Sequence, residues 1–262
     1  MKTRQIINFT GLLFMLFIKI LADTLPLNNL TGTQVSAAIP ALFNPAGYVF
    51  VIWWFIYLSM LAFGVYQLLP AQKNNLRIQQ MGYWFTLSCV LNSLWIVFWH
   101  YGQIAISLLV MLGLLFCLIK IYIRSEIGKI KPTKPERWLI DTPFSIYLGW
   151  ISVSTVTNIA ALDFINGWNG WGLSYEGWTI LMILGISALA IWMMCLRHDI
   201  AFPMVIAWSL SGIYIARQEY PMIASTSAVM AIVIVIFLLM LLAGLLENRE
   251  LPESGNKELY SD

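Results

Sequence analysis

The chain has 262 residues, 60% of them hydrophobic and only 11% charged, with a net charge of +2. Soluble domains carry about 25% charged residues, so this balance excludes an ordinary soluble domain, and +2 is too small a charge to point to nucleic acid. Mean hydropathy is +0.77. Apolar runs of about 20 residues, enough to cross a bilayer, recur along the whole length, so the chain reads as an all-α polytopic membrane protein.

Eight spans are expected, at about 5–22, 46–69, 79–99, 102–123, 142–162, 177–196, 200–216 and 221–246. The first follows Lys2 and Arg4, as a signal peptide would. However, Lys19 interrupts it and Leu21-Ala22-Asp23 is a poor small-x-small cleavage site, so it reads as a retained first helix. Lys19, four residues before Asp23, forms an interfacial pair or snorkels, with carboxylate binding as the second reading. The second span opens on Phe43-Asn44-Pro45-Ala46-Gly47-Tyr48-Val49-Phe50 and carries Trp53, Trp54 and Tyr57; the third carries Asn92 and Trp95. Residues 127–137, with Pro132 and Pro135, form a basic, irregular loop that sets orientation, with contact to anionic lipid as a lesser role.

The fifth span holds Tyr147-Leu148-Gly149-Trp150, then Thr155 and Asn158. Asp141, ahead of Pro143, contributes to its start. The outer loop 163–175 reads as an interfacial aromatic belt, or as a lid over a cavity, with Asp163 and Glu176 solvated at its ends. The seventh span is short, and Pro203 makes it a candidate for a tilted, kinked or re-entrant segment. The tail 247–262 is acidic and is expected to be disordered. Of the 15 Lys and Arg, all except Lys19 and Arg217 fall on one side, which gives eight helices with both termini cytoplasmic. Cys89, Cys117 and Cys195 lie in separate spans and read as buried free thiols.

Asparagine in hydrocarbon is costly unless its amide is hydrogen-bonded. Asn92 and Trp95 are three apart on a helix and share a face; so do Trp53 and Tyr57, four apart. Trp150 and Asn158 are eight apart, two turns along nearly one stripe. Such stripes either glue helices together through interhelical hydrogen bonds or wall a pocket with aromatic faces and a few amides, suited to a flat, largely apolar ligand.

Phe43-Asn44-Pro45 with Trp53, Trp54 and Tyr57, Leu91-Asn92-Ser93-Leu94-Trp95, and Tyr147-Leu148-Gly149-Trp150…Thr155…Asn158 together resemble the TspO/MBR family, the tryptophan-rich sensory or translocator proteins. The departures are Pro45-Ala46 for Pro-Pro, Tyr48 for the following tryptophan, Gly149 where the family has alanine, Ile96-Val97 where a proline is usual, and Leu162-Asp163 in place of a basic residue. The resemblance implies a five-helix bundle over residues 1–165, followed by additional transmembrane helices over 166–246. It also implies a binding site for a hydrophobic ligand such as a porphyrin, haem or a sterol-like lipid, built from Tyr48, Trp53, Trp54, Tyr57, Asn92, Trp95, Trp150, Thr155 and Asn158. No cofactor is required for that role.

Two loose cholesterol patterns, Leu118…Tyr122…Arg124 and Leu210…Tyr214…Arg217, carry little weight. His100 and His198 lie on opposite sides and cannot share a metal; His100 as a single axial ligand is a minor reading. No catalytic constellation is evident. The expected function is that of a sensor or carrier in the inner (plasma) membrane, with a homodimer allowed by the small residues of the last three spans. The alternatives are a secondary transporter and, below it, an intramembrane lipid- or pigment-modifying enzyme.

Overall fold

In the computed structural model, residues 3–25, 28, 32–167 and 172–244 are described, and among them the chain is helical without a strand. The acidic tail and the loop residues Trp168 and Trp171 lie outside the described residues. The first span is α1 (Thr3–Thr24), followed by a short α2 (Gly32–Ala38). A 3-10 turn (Gly47–Val51) runs directly into α3 (Ile52–Leu68). The third span is broken: α4 (Leu76–Met81) ends at Gly82, whose φ of +58° turns the chain before α5 (Trp84–His100). The remaining spans are α6 (Ile104–Arg124), α8 (Thr142–Asn166), α9 (Tyr175–Arg197), α10 (Ala201–Ala216) and α11 (Pro221–Leu242). Six of these helical runs are long and apolar enough to cross a membrane, while α5 and α10 are shorter apolar helices.

Four local expectations change. Residues 127–137 are not irregular to their end. Helix α7 (Lys134–Glu136) starts there on a capping box in which Thr133 and Glu136 satisfy each other's backbone N–H. Pro135 sits in its first turn, where a missing N–H costs little. The chain then passes through a π turn (Arg137–Asp141) into α8, so Asp141 stands inside a continuous helical run and does not begin one. Its carboxylate is instead ion-paired with Arg77. Pro203 does not break the seventh span either. It occupies the first turn of α10, and the two N–H groups before it, of Ala201 and Phe202, are capped by Asp199 Oδ1 at 2.9 and 3.1 Å. Lastly, Cys89 and Cys117 are buried but Cys195 is exposed.

Helix α8 is the centre of the assembly, with α6, α3 and α10 packed around it; α1 packs on α5 and α3, and α9, α10 and α11 pack on one another. The junction of α8 with α10 explains Gly149. A Cβ there would stand 3.0 Å from the Phe202 carbonyl oxygen and 3.2 Å from Val205 Cβ. The first of these is backbone and cannot step aside.

Candidate functional site

At the end of the bundle opposite Arg77 and Arg197, a cavity of about 510 Å³ opens between α1, the 3-10 turn, α3, α5 and α8. Seven of the nine sequence-expected residues line it: Tyr48, Trp53, Trp54, Tyr57, Trp95, Trp150 and Asn158. Asn92 and Thr155 do not. Both are buried behind the wall, and Thr155 returns its hydroxyl to Ile151 O of its own helix at 2.7 Å.

The wall is a run of parallel rings. Trp53 stacks on Tyr57 (centroids 5.5 Å, 16° between planes) and on Trp95 (5.3 Å, 26°), and Trp95 stacks on Trp99 (6.0 Å, 25°). Trp150 meets Trp53 edge-on at 5.9 Å. The i, i+4 spacings within α3 and α5 line the rings up along each helix. Trp99 is the stacked ring that the expected set lacks, and its place one turn beyond Trp95 is the signal that finds it.

The amides hold this wall in place. Tyr57 donates its hydroxyl to Asn92 Oδ1 at 3.0 Å, tying α3 to α5. Asn158 Oδ1 accepts from Ser107 of α6 at 3.0 Å and from Trp95 Nε1 of α5 at 3.5 Å, while its Nδ2 donates to Ser154 O at 2.9 Å. Glue and pocket, set apart in the sequence, are therefore one device: the amides orient the rings, and the rings face the cavity. Two buried polar atoms in the wall are left without a partner, Trp150 Nε1 and His100 Nε2. His100 Nδ1 donates to Ile96 O at 2.7 Å, so Nε2 of the neutral ring is an acceptor.

The rim is closed from two directions. Lys19 pairs with Asp23 at 2.7 Å and lies 5.8 and 5.9 Å above the rings of Trp54 and Tyr57. On the other flank α10 supports the 3-10 turn. Ala46 N donates to Gly212 O at 3.0 Å, Trp208 Nε1 donates to Val49 O at 3.3 Å, and the Tyr48 ring meets Trp208 edge-on at 5.0 Å, with its hydroxyl 3.2 Å from Ser211 Oγ. Gly212 is required there, because a Cβ would fall 2.2 Å from Val49 Cγ2. Arg217 pins the preceding segment through Leu42 O at 2.9 Å and Ala41 O at 2.8 Å.

Neither cholesterol-like pattern keeps its polar residues free, since Arg217 serves this loop and Tyr122 donates to Asp199 Oδ2 at 2.8 Å. Asp163 is likewise engaged, accepting from Trp178 Nε1 at 3.0 Å.

The family model described as TSPO-like protein matches residues 5–240. The chain belongs to the TSPO-like protein family. The match runs through α9, α10 and α11 as well as the motif-bearing helices, and the contacts of α10 with the 3-10 turn give that continuity a structural form. The TSPO-like chain is an integral, multi-pass membrane protein of a family that points to ligand binding or sensing. No curated protein and no solved structure matches it significantly.

Proposed function

We propose that this TSPO-like protein binds a flat, hydrophobic ligand in the aromatic cavity, and that the ligand is a tetrapyrrole such as a porphyrin or haem. The ring stack Tyr57–Trp53–Trp95–Trp99 carries the reading. It offers an extended aromatic surface inside a space of about 510 Å³, within the roughly 300–1,000 Å³ of small-molecule sites. The unpartnered donor on Trp150 and acceptor on His100 suit a ligand with polar handles, since a buried polar atom without a partner is costly. In this reading the protein acts as a sensor or carrier of that ligand in the plasma membrane. A secondary transporter would draw on broken or charged helices at mid-membrane, and α10 runs unbroken through Pro203.

The test is titration of purified protein with protoporphyrin, followed by the porphyrin's own Soret band so that tryptophan variants do not remove the reporter. Saturable binding is expected. Trp53→Ala weakens it about tenfold, the equivalent of some 1.4 kcal/mol of lost stacking and burial, while Trp150→Phe keeps most of the ring and weakens it less. Absence of saturable binding by any tetrapyrrole, or a Trp53→Ala variant that binds like the parent, removes the proposal.

A further inference from the structure

A second hollow, of about 1340 Å³, runs down the outside of the bundle between the 3-10 turn, α8, α10 and α11. Its trough is apolar, with Ile146, Met204, Ile232 and Val235 among its walls. Along α10 it reaches from Ala201 to Ser211. Ten residues of helix rise about 15 Å, half of a hydrocarbon core of about 30 Å. The trough is therefore one leaflet deep, and it ends at the face that carries Arg137 and Arg197.

The charge at that mouth depends on which groups are already satisfied. Asp141 is ion-paired with Arg77. Asp199 receives four hydrogen bonds, from Tyr122 and Ser145 hydroxyls at 2.8 and 2.6 Å and from the N–H groups of Ala201 and Phe202. Both carboxylates are thus spoken for. Arg197 donates one Nη to Ile127 O at 3.2 Å and lies over the Tyr122 ring at 5.6 Å, while Arg137 is exposed. Among the described residues neither arginine has a carboxylate within ion-pairing distance. Trp138, 69% exposed, stands beside Arg137 in the same mouth, a residue type that settles at lipid headgroup depth.

We propose that this groove is a binding site for a membrane glycerophospholipid with an anionic headgroup. The phosphate lies between Arg137 and Arg197, and an acyl chain lies in the trough between α8, α10 and α11. The groove lies across the 3-10 turn from the aromatic cavity, with Val51 lining both, and the proposal does not rest on what the cavity binds.

Native mass spectrometry of the full chain, loaded with phosphatidylglycerol or phosphatidylcholine of identical acyl chains, tests it. Preferential retention of phosphatidylglycerol is expected. Arg137→Gln, an exposed position, lowers the preference about fivefold, the weight of one basic side chain near a lipid surface; adding Arg197→Gln brings it close to unity. Ala231→Phe fills the trough and reduces retention of both lipids. The proposal is overturned by equal retention of the two lipids in the parent protein, by an unchanged preference in Arg137→Gln, by normal lipid loading of Ala231→Phe, or by displacement of the lipid with glycerol phosphate, which would make it a headgroup site alone.

Discussion

The two ends of the helix bundle use buried polar groups in different ways. At the end that carries Arg77 they tie one helix to the next. Arg77, 1% exposed, donates Nε to Ser125 O at 2.8 Å and pairs with Asp141. Asn75 donates to Glu136 Oε1 at 3.1 Å, and Arg4 donates to Gln79 O at 2.8 Å. These bonds cross from α1 to α4, and from α4 to the chain just after α6 and to the helical run that becomes α8, so this end is a clamp. At the other end aromatic rings form the wall, with charge confined to the Lys19–Asp23 pair at the rim and to Arg217 on the supporting segment; amides orient the rings, and Trp150 Nε1 and His100 Nε2 are left unsatisfied. The end that carries Arg77 also leaves buried polar atoms without a partner, Arg4 Nε, Arg77 Nη1 and the Gln67 amide among them, but these residues line neither cavity; Trp150 and His100 do, so their end has something still to bind.

The sharpest way to break this contrast is Arg77→Ala. It leaves Asp141 as an unpaired, largely buried carboxylate, and losing one partner of a buried pair costs about 3–5 kcal/mol. Thermal unfolding in detergent is expected to fall steeply, with protoporphyrin affinity of the surviving folded protein unchanged. A normal unfolding temperature would show that the clamp holds nothing. Gly212→Ala is expected to act on both properties. Its Cβ displaces Val49, so it costs about 1–3 kcal/mol of overpacking and also weakens cavity binding through the 3-10 turn. Full binding in Gly212→Ala would separate α10 from the cavity.

Much of this plan is legible in the sequence, for identifiable reasons. All eight spans form helices because the apolar runs are long and lipid leaves the backbone few alternatives. The aromatic wall is legible because i, i+4 spacing fixes which rings share a face. What the spacing does not carry is the partner across the gap. Asp141 reads as a helix start until Arg77, 64 residues earlier, is brought against it. Pro203 marks its span as tilted, kinked or re-entrant until Asp199 is seen capping the two positions before it. The role of α10 is hidden for the same reason: Gly149 and Gly212 are unremarkable singly, and only the approach of Phe202 and Val49 shows that each must lack a side chain.

The smallest expected effects decide whether the amides act on the ligand or on the wall. Asn158→Ala removes the acceptor for Trp95 Nε1 and Ser107, an interhelical contact of about 0.6 kcal/mol and at most some 1.7 kcal/mol in a membrane. A two- to several-fold loss of protoporphyrin affinity is expected, because the freed Trp95 ring no longer holds its plane against Trp53. Thr155→Val removes a hydroxyl that bonds within its own helix turn, behind the wall, and is expected to leave affinity and unfolding within about 0.5 kcal/mol of the parent. The pair is best read together, by the same Soret titration. If Thr155→Val weakens binding as much as Asn158→Ala, the α8 polar groups touch the ligand directly, and the division of labour between amides that orient and rings that bind is wrong.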